Sequence, residues 1–488
     1  MLATEIDTHE DVVQRLATEH RIEPSVWIGK EGLIPFVQMH FPDCTILDKN
    51  QLVAGAWKDG PNLSISDMEE LASYWDSNEF RDQRVNLLEE FNRYPSLDNF
   101  RALDREVLLR LLQMQIFAAI KQQAPNFLFA LDTPHNPVNL SAFYLAKWLN
   151  IPTLFFSSSG TLAPSLIPST DLGVFDREGR IIPEPESEAE KSAVDFNAKS
   201  ARKALNEMST GEEIHWQAYE RELLQKHAPR KFQRQRDIRN KIKRSLLRLR
   251  NPEGALFADL LDRNYTRLTN AHDREPTRIY PAEHGLLTLH FQPEASTVPN
   301  GLGDTFQGEF VLRAREILPA HITLVVKEHP SQLKTSMEGS FGRSPRFYDF
   351  INSIPNTRVV SAFAQTRDLL DTTQIVFTLT GSIGIEAAIR GIPVVYFGAA
   401  WWGGMPGTYN GRDPNLIEKL SAYVPPGFDS VSDYLVNFIQ YCSIPGFADS
   451  GTREYWSRRS NPPKDFQDSL VTRLVRTVAR FAGSINDG

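Results

Sequence analysis

The chain has 488 residues, too many for one ordinary hydrophobic core, so two domains or one large domain with insertions are expected. Hydrophobic residues at 41% and charged residues at 23% describe a soluble globular protein of enzyme size, and no apolar run approaches bilayer-spanning length. A net charge of -8 argues against bulk nucleic-acid binding, two cysteines (Cys44, Cys442) exclude a disulfide framework, and the acidic N-terminus lacks a signal-peptide core, so a cytoplasmic protein is expected.

Taken in chain order, residues 1 to 150 alternate helix-like and strand-like patches. Leu103 to Gln123 reads as a helix, Phe127 to Leu131 as a buried strand, Leu140 to Leu149 as a helix and Pro152 to Phe156 as a second strand. This is a βαβ unit, and such units place ligands at the carboxyl ends of their strands. The loop there supplies Asp132 and His135, a carboxylate and an imidazole three positions apart. One of them is placed to deprotonate an acceptor hydroxyl, or, in a reaction that retains anomeric configuration, Asp132 acts as nucleophile or ion-pair stabiliser; the plain alternative is that Asp132 caps the turn and His135 packs against it.

From about 185 to 270 the pattern turns helical and charged. Within it, residues 226 to 250 carry eleven cations opposed only by Asp237, with Ile238, Ile242, Leu246 and Leu249 forming an apolar stripe. Such a helix suits an anionic membrane surface, or packs its stripe on the first domain with its charges solvated. The stretch Arg274 to Thr277 reads as a junction, dividing an N-terminal domain (1–275) from a second (276–455), with a C-terminal helix (456–488) packing back across both.

The second domain reads as strand to Phe291, helix from about Asp304, strand Ile322 to Val326, helix near Arg346, strand Thr357 to Val360 and strand Gln374 to Leu379, an alternation that predicts a parallel sheet. Three of its strands end in polar turns. After the first come Gln292 and Glu294, placed to orient a donor, then Ser296 and Thr297, which can donate to phosphate oxygens. After the second come Lys327, adding positive charge for the phosphate, and His329, with Pro330 biasing His329 toward an extended backbone; its imidazole becomes a better cation beside a phosphate and can stabilise a departing nucleotide. After the last come Thr380, Gly381 and Ser382, opening a helix whose N-terminus favours an anion, with Glu386 one turn in and within reach of a ribose diol. Each turn read alone is equally a local cap. Trp401 and Trp402 follow at the same edge, for sugar stacking or interdomain contact.

The segments LHFQPEAST, VVKEHP and TGSIGIEAAIRGIPVVYFG, with DTPHN in the first half, resemble bacterial capsule and surface polysaccharide biosynthesis proteins, similar to GT-B glycosyltransferases that include capsular Kdo transferases and His-Pro-motif sialyltransferases. The likeness spans about residues 125–160 and 285–400. It implies an α/β, GT-B-like fold with two Rossmann-like domains facing across a cleft and a helical insertion. It also implies a glycosyltransferase using a nucleotide-sugar donor, such as a CMP-linked sugar acid like Kdo, and a glycan or glycolipid acceptor. In those relatives the His-Pro histidine and the Ser/Thr loop hold the donor phosphate, which carries over to His329, Thr380 and Ser382. No Asp-x-Asp triplet is present, so a metal-free, cofactor-free mechanism is expected. The rival expectations are a CDP-polyol phosphotransferase, a nucleotide-sugar epimerase and a non-catalytic scaffold.

Overall fold

The computed structural model describes residues 1–4, 10–29, 31–56, 60–94, 101–159, 161–210, 263, 266–273, 281–292, 294–304, 306–333, 342–447, 450–457 and 460–486. The basic strip 226–250 and the expected junction 274–277 lie outside them.

The first half builds strands β1 (Leu2–Thr4), β2 (Val26–Gly29), β3 (Thr45–Asp48), β4 (Leu128–Ala130), β5 (Thr153–Ser158), β6 (Ser165–Asp171) and β7 (Val174–Phe175), with helices α1 (Glu10–His20), α2 (Ala102–Gln123), α3 (Pro137–Trp148) and α4 (Glu188–Thr210) among its connections. The second half supplies β8 (His284–Thr288), α5 (Gln307–Ile317), β9 (Thr323–Lys327), α6 (Arg346–Ser353), β10 (Thr357–Val360), β11 (Thr373–Thr378), α7 (Ile383–Ile389), β12 (Val394–Tyr396), β13 (Thr408–Asn410), α8 (Phe428–Tyr441), β14 (Ile444–Pro445) and α9 (Phe466–Asn486).

The second sheet runs β10-β9-β8-β11-β12-β13 with every pair parallel. Counted within the domain this is the Rossmann order 3-2-1-4-5-6, whose strand direction of travel reverses between β8 and β11. The first sheet repeats the theme as β14-β6-β5-β4-β1-β2-β3, parallel from β5 to β3 and antiparallel at β6 and β14, with β7 hairpinned on β6. Its reversal falls between β1 and β4. Two Rossmann-like units are therefore present, as the alternation predicted.

Both sheets are covered on two faces because their strands alternate between two cores. Leu2, Leu128 and Phe155 join one core, and Ala3, Phe129 and Leu154 the other. In the second sheet Leu286, Val325 and Val376 face one way and Leu287, Val326 and Phe377 the other. Each of the fully buried Leu, Val and Phe side chains contributes about 1.5–3 kcal/mol relative to exposure, and such near-continuous apolar runs are legible as parallel strands.

The chain returns to the first sheet earlier than the 455/456 division expected from sequence: β14 pairs antiparallel with β6. The signal was too short to read, a two-residue strand. Helix α9 follows with Leu470, Leu474, Val475, Val478 and Phe481 in the core shared with Met1, Ala3 and Phe127, so it covers a face of the first sheet. Helix α4 does the reverse: Ala201, Leu205 and Met208 join the second domain's core beside Ile385 and Val431, and it packs along α8. Among the described residues no helix is long and apolar enough to cross a membrane.

Candidate functional site

The loops after β8 and β11 flank the reversal point of the second sheet, the place where such a fold leaves a crevice at its strand ends. Between them sits His290, which the motif contained but sequence reasoning left without a role. Its ring is buried, and Nε2 lies 3.1 Å from the Thr378 hydroxyl, accepting the amides of Leu379 (3.2 Å) and Thr380 (3.4 Å). Burial, with the His329 and Arg343 charges adding, pushes its pKa down to about 3. The neutral ring with its proton on Nδ1 is the form that accepts these bonds. Thr378 Oγ1 accepts the Gly381 amide at 3.1 Å, and a Cβ on Gly381 would come within 3.2 Å of His290 Cε1.

This changes the expected use of the turn. The amides of Thr380 and Gly381 close on His290 and Thr378, whereas among the described residues those of Ser382 and Ile383, at the start of α7, have no protein acceptor. Ser382 leaves its side chain out of the cap, and Glu386 sits half-buried in the first turn. Trp402 is 1% exposed and braces the turn, its Nε1 donating to the Thr380 carbonyl at 3.3 Å.

Two glutamines lock the β8 loop. Gln307 Oε1 accepts the His290 amide (2.8 Å) while its Nε2 donates to the His290 carbonyl (3.0 Å). Gln332 treats Gln292 in the same way, at 2.8 and 3.0 Å. Each side-chain amide imitates a neighbouring strand, extending the ladder past the end of β8. Farther along, Thr380 Oγ1 donates to the Ser296 carbonyl at 3.2 Å, which ties the first and last of the three predicted turns together. Ser296 Oγ donates to the exposed Glu294 carboxylate at 2.8 Å. Thr297 is buried, and its hydroxyl proton goes to the Glu294 carbonyl at 2.9 Å, so it caps the loop, with its proton turned away from any phosphate.

The β9 turn joins through His329, which is half-buried, with its ring centroid 6.3 Å from that of Phe291 and its charge felt by His290. The Ser331 amide donates to His329 Nδ1 at 3.2 Å, directing the proton of the neutral ring to Nε2. Lys327 goes elsewhere. It is buried, and Nζ donates to the Ala362 carbonyl at 3.0 Å beyond β10, so its charge is spent on the sheet edge.

On the first sheet the loop after β4 likewise sits at the reversal point. Asp132 Oδ1 accepts the Thr133 amide at 2.7 Å, and its Oδ2 lies 3.3 Å from His135 Nδ1, which also donates to the Thr133 carbonyl at 2.6 Å. The geometry is that of the plain alternative: Asp132 caps the turn and His135 packs against it, with its proton on Nδ1 and its lone pair on Nε2. Asn136 then caps α3 by accepting the Asn139 amide at 3.0 Å.

The domains meet beside these loops. Val298, two residues past Ser296, is buried in the first-domain core that includes Val138 and Phe143 of α3. Arg177 Nη1 donates to the Trp401 carbonyl at 3.1 Å and its Nη2 to the Ala400 carbonyl at 3.3 Å, while Trp401 stacks 5.5 Å from Phe438. Trp401 is thus an interdomain contact and Trp402 a core brace.

No curated protein matches the chain. Among solved structures it is similar to the beta Kdo 2,4 transferase KpsC of Thermosulfurimonas dismutans, at 16% identity over 64% of this chain and 87% of that one, TM-score 0.25. The beta Kdo 2,7 transferase KpsC of the same organism matches at 11% over 77% and 96%, TM-score 0.28. A UDP-GlcNAc 2-epimerase from Methanocaldococcus jannaschii matches at 12% over 98% of both chains, TM-score 0.21. The resemblance drawn from the motifs is borne out over residues 303–426, the stretch carrying His329, Thr380, Gly381, Ser382 and Glu386, which matches the family of capsule polysaccharide biosynthesis proteins.

Proposed function

We propose that the protein is a glycosyltransferase that moves a sugar from a nucleotide-activated donor onto a surface-polysaccharide glycan or glycolipid. One observation carries the reading: the β8 and β11 loops close on buried His290 at the reversal point of an all-parallel sheet, in a domain whose residues 303–426, including the β11 loop, match a capsule-biosynthesis family. The donor class favoured by the motifs is a CMP-linked sugar acid such as Kdo.

In this reading the donor phosphate lies against the Ser382 and Ile383 amides, with His329 donating from Nε2 and Glu386 toward the ribose. His135 Nε2 takes the proton of the acceptor hydroxyl, and Asp132 steadies the imidazolium that forms. The acceptor oxygen bonds to the anomeric carbon as the bond from that carbon to the phosphate oxygen breaks, and the electron pair leaves with the nucleotide. Gln292, Glu294 and Ser296 order the loop behind the donor.

A thermal-shift screen with CMP, CDP, UDP and GDP tests the donor side. A nucleotide at a hundred times its Kd is expected to stabilise the fold by about 2.7 kcal/mol, and His329→Ala is expected to abolish the shift while remaining folded. Unchanged nucleotide response and turnover in that variant would refute the assignment, and a phosphodiester in the product would indicate polyol-phosphate transfer instead. Turnover is expected to survive EDTA; loss on chelation with recovery in Mg²⁺ would overturn the metal-free part.

A further inference from the structure

We propose that Arg343 and Glu328 are positioning residues that hold the loops of His290 and His329 in one fixed register; this rests on the donor-site reading above. Both are buried, at 4% and 0% exposure. Arg343 Nε and Nη2 donate to the two Glu328 oxygens at 3.0 and 3.2 Å. Nη2 also donates to the His290 carbonyl at 3.1 Å, Nη1 to Gln292 Oε1 at 2.9 Å, and the guanidinium lies 4.3 Å over the Phe347 ring. The Glu328 carboxylate in turn accepts the amide of His329 at 2.7 Å and the Tyr348 hydroxyl at 2.9 Å. One ion pair therefore grips the backbone of both histidines. The segment is fitted to the loop as well: a Cβ on Gly342 would lie 2.4 Å from the Gln292 carbonyl carbon and oxygen.

Stability alone does not call for such a pair. Desolvating two charges costs as much as their attraction returns, and buried pairs are often replaced by apolar groups without loss, whereas removing one partner strands the other. What an apolar replacement cannot supply is the forked geometry of a guanidinium, which reaches four acceptor atoms on two loops.

The test separates these roles. Arg343→Met is expected to destabilise the protein by stranding Glu328, and the double variant Glu328→Gln/Arg343→Met to recover a melting temperature near wild type. In the double variant the His329 Cε1–H resonance, assigned through His329→Gln, is expected to shift in position and titration, and CMP affinity by calorimetry to fall about tenfold. A wild-type His329 resonance in the folded double variant would overturn the proposal, whatever the affinity. Should the double variant fail to fold, Arg343→Lys decides: it keeps a cation beside Glu328 but forfeits the fork, so a displaced His290 resonance supports the proposal and an unchanged one overturns it. If wild-type protein binds no CMP, the donor reading loses its CMP arm while the histidine resonances still decide the positioning role.

Discussion

His135 and His329 carry opposite tautomers, and local hydrogen bonds set both. His135 gives its Nδ1 proton to the Thr133 carbonyl and presents a basic Nε2, whereas His329 receives the Ser331 amide on Nδ1 and presents Nε2–H. The residue types were legible in the sequence; the direction of each proton depends on carbonyls and amides that only the folded turn brings near. His290 shows the same limit more sharply. It follows β8 at the reversal point, a position that signals a site residue, but its partners are separated from it by about ninety positions in sequence. Its depressed pKa gives an expected pH dependence. The unfolded chain binds a proton near pH 6.5 and the folded one only near 3, so stability is full above about 6.5 and declines by about 1.4 kcal/mol per pH unit as pH falls toward 3. His290→Gln is expected to lessen that slope by one proton, measured by urea unfolding at stepped pH; an unaltered slope would reject the buried neutral imidazole.

At the scale of elements, strands β8 to β11 were readable because each is a run of buried apolar residues bounded by turn chemistry, and α2 because its 22 residues run without a proline or glycine. Strand β14 was not, being two residues long. Lys327 was misread for a related reason. As the last residue of β9 it obeys strand alternation, falling on the face of Val325, and its ammonium follows the sheet to Ala362. Helix α7 approaches Trp402 so closely that a Cβ on Gly384 would lie 2.4 Å from the indole. Gly384→Ala is therefore expected to overpack this contact and cost about 1–3 kcal/mol in urea unfolding, outweighing the helix propensity that alanine gains. Because the indole also holds the Thr380 carbonyl, the same variant is expected to weaken nucleotide response.

Across the whole molecule the two sheets are stitched rather than merely adjacent. Val298 enters the first-domain core from a second-domain loop, Arg177 holds the Ala400 and Trp401 carbonyls from the first, and α4 packs into the second domain's core. Calorimetry of the intact chain is expected to show one cooperative transition. Val298→Ala/Arg177→Ala, which loosens the contact beside the site, is expected to split it into two, and a single transition in that variant would show that α4 and the returning β14–α9 segment suffice for coupling.

The closing stretch of polypeptide acts as a rivet. Since β14 is hydrogen-bonded to β6 and α9 is embedded beside β1, the first sheet depends on amino acids encoded at the opposite end of the chain. Two separately expressed fragments, divided just after Thr210, should accordingly assemble into a single particle and elute together, with neither half remaining in solution alone.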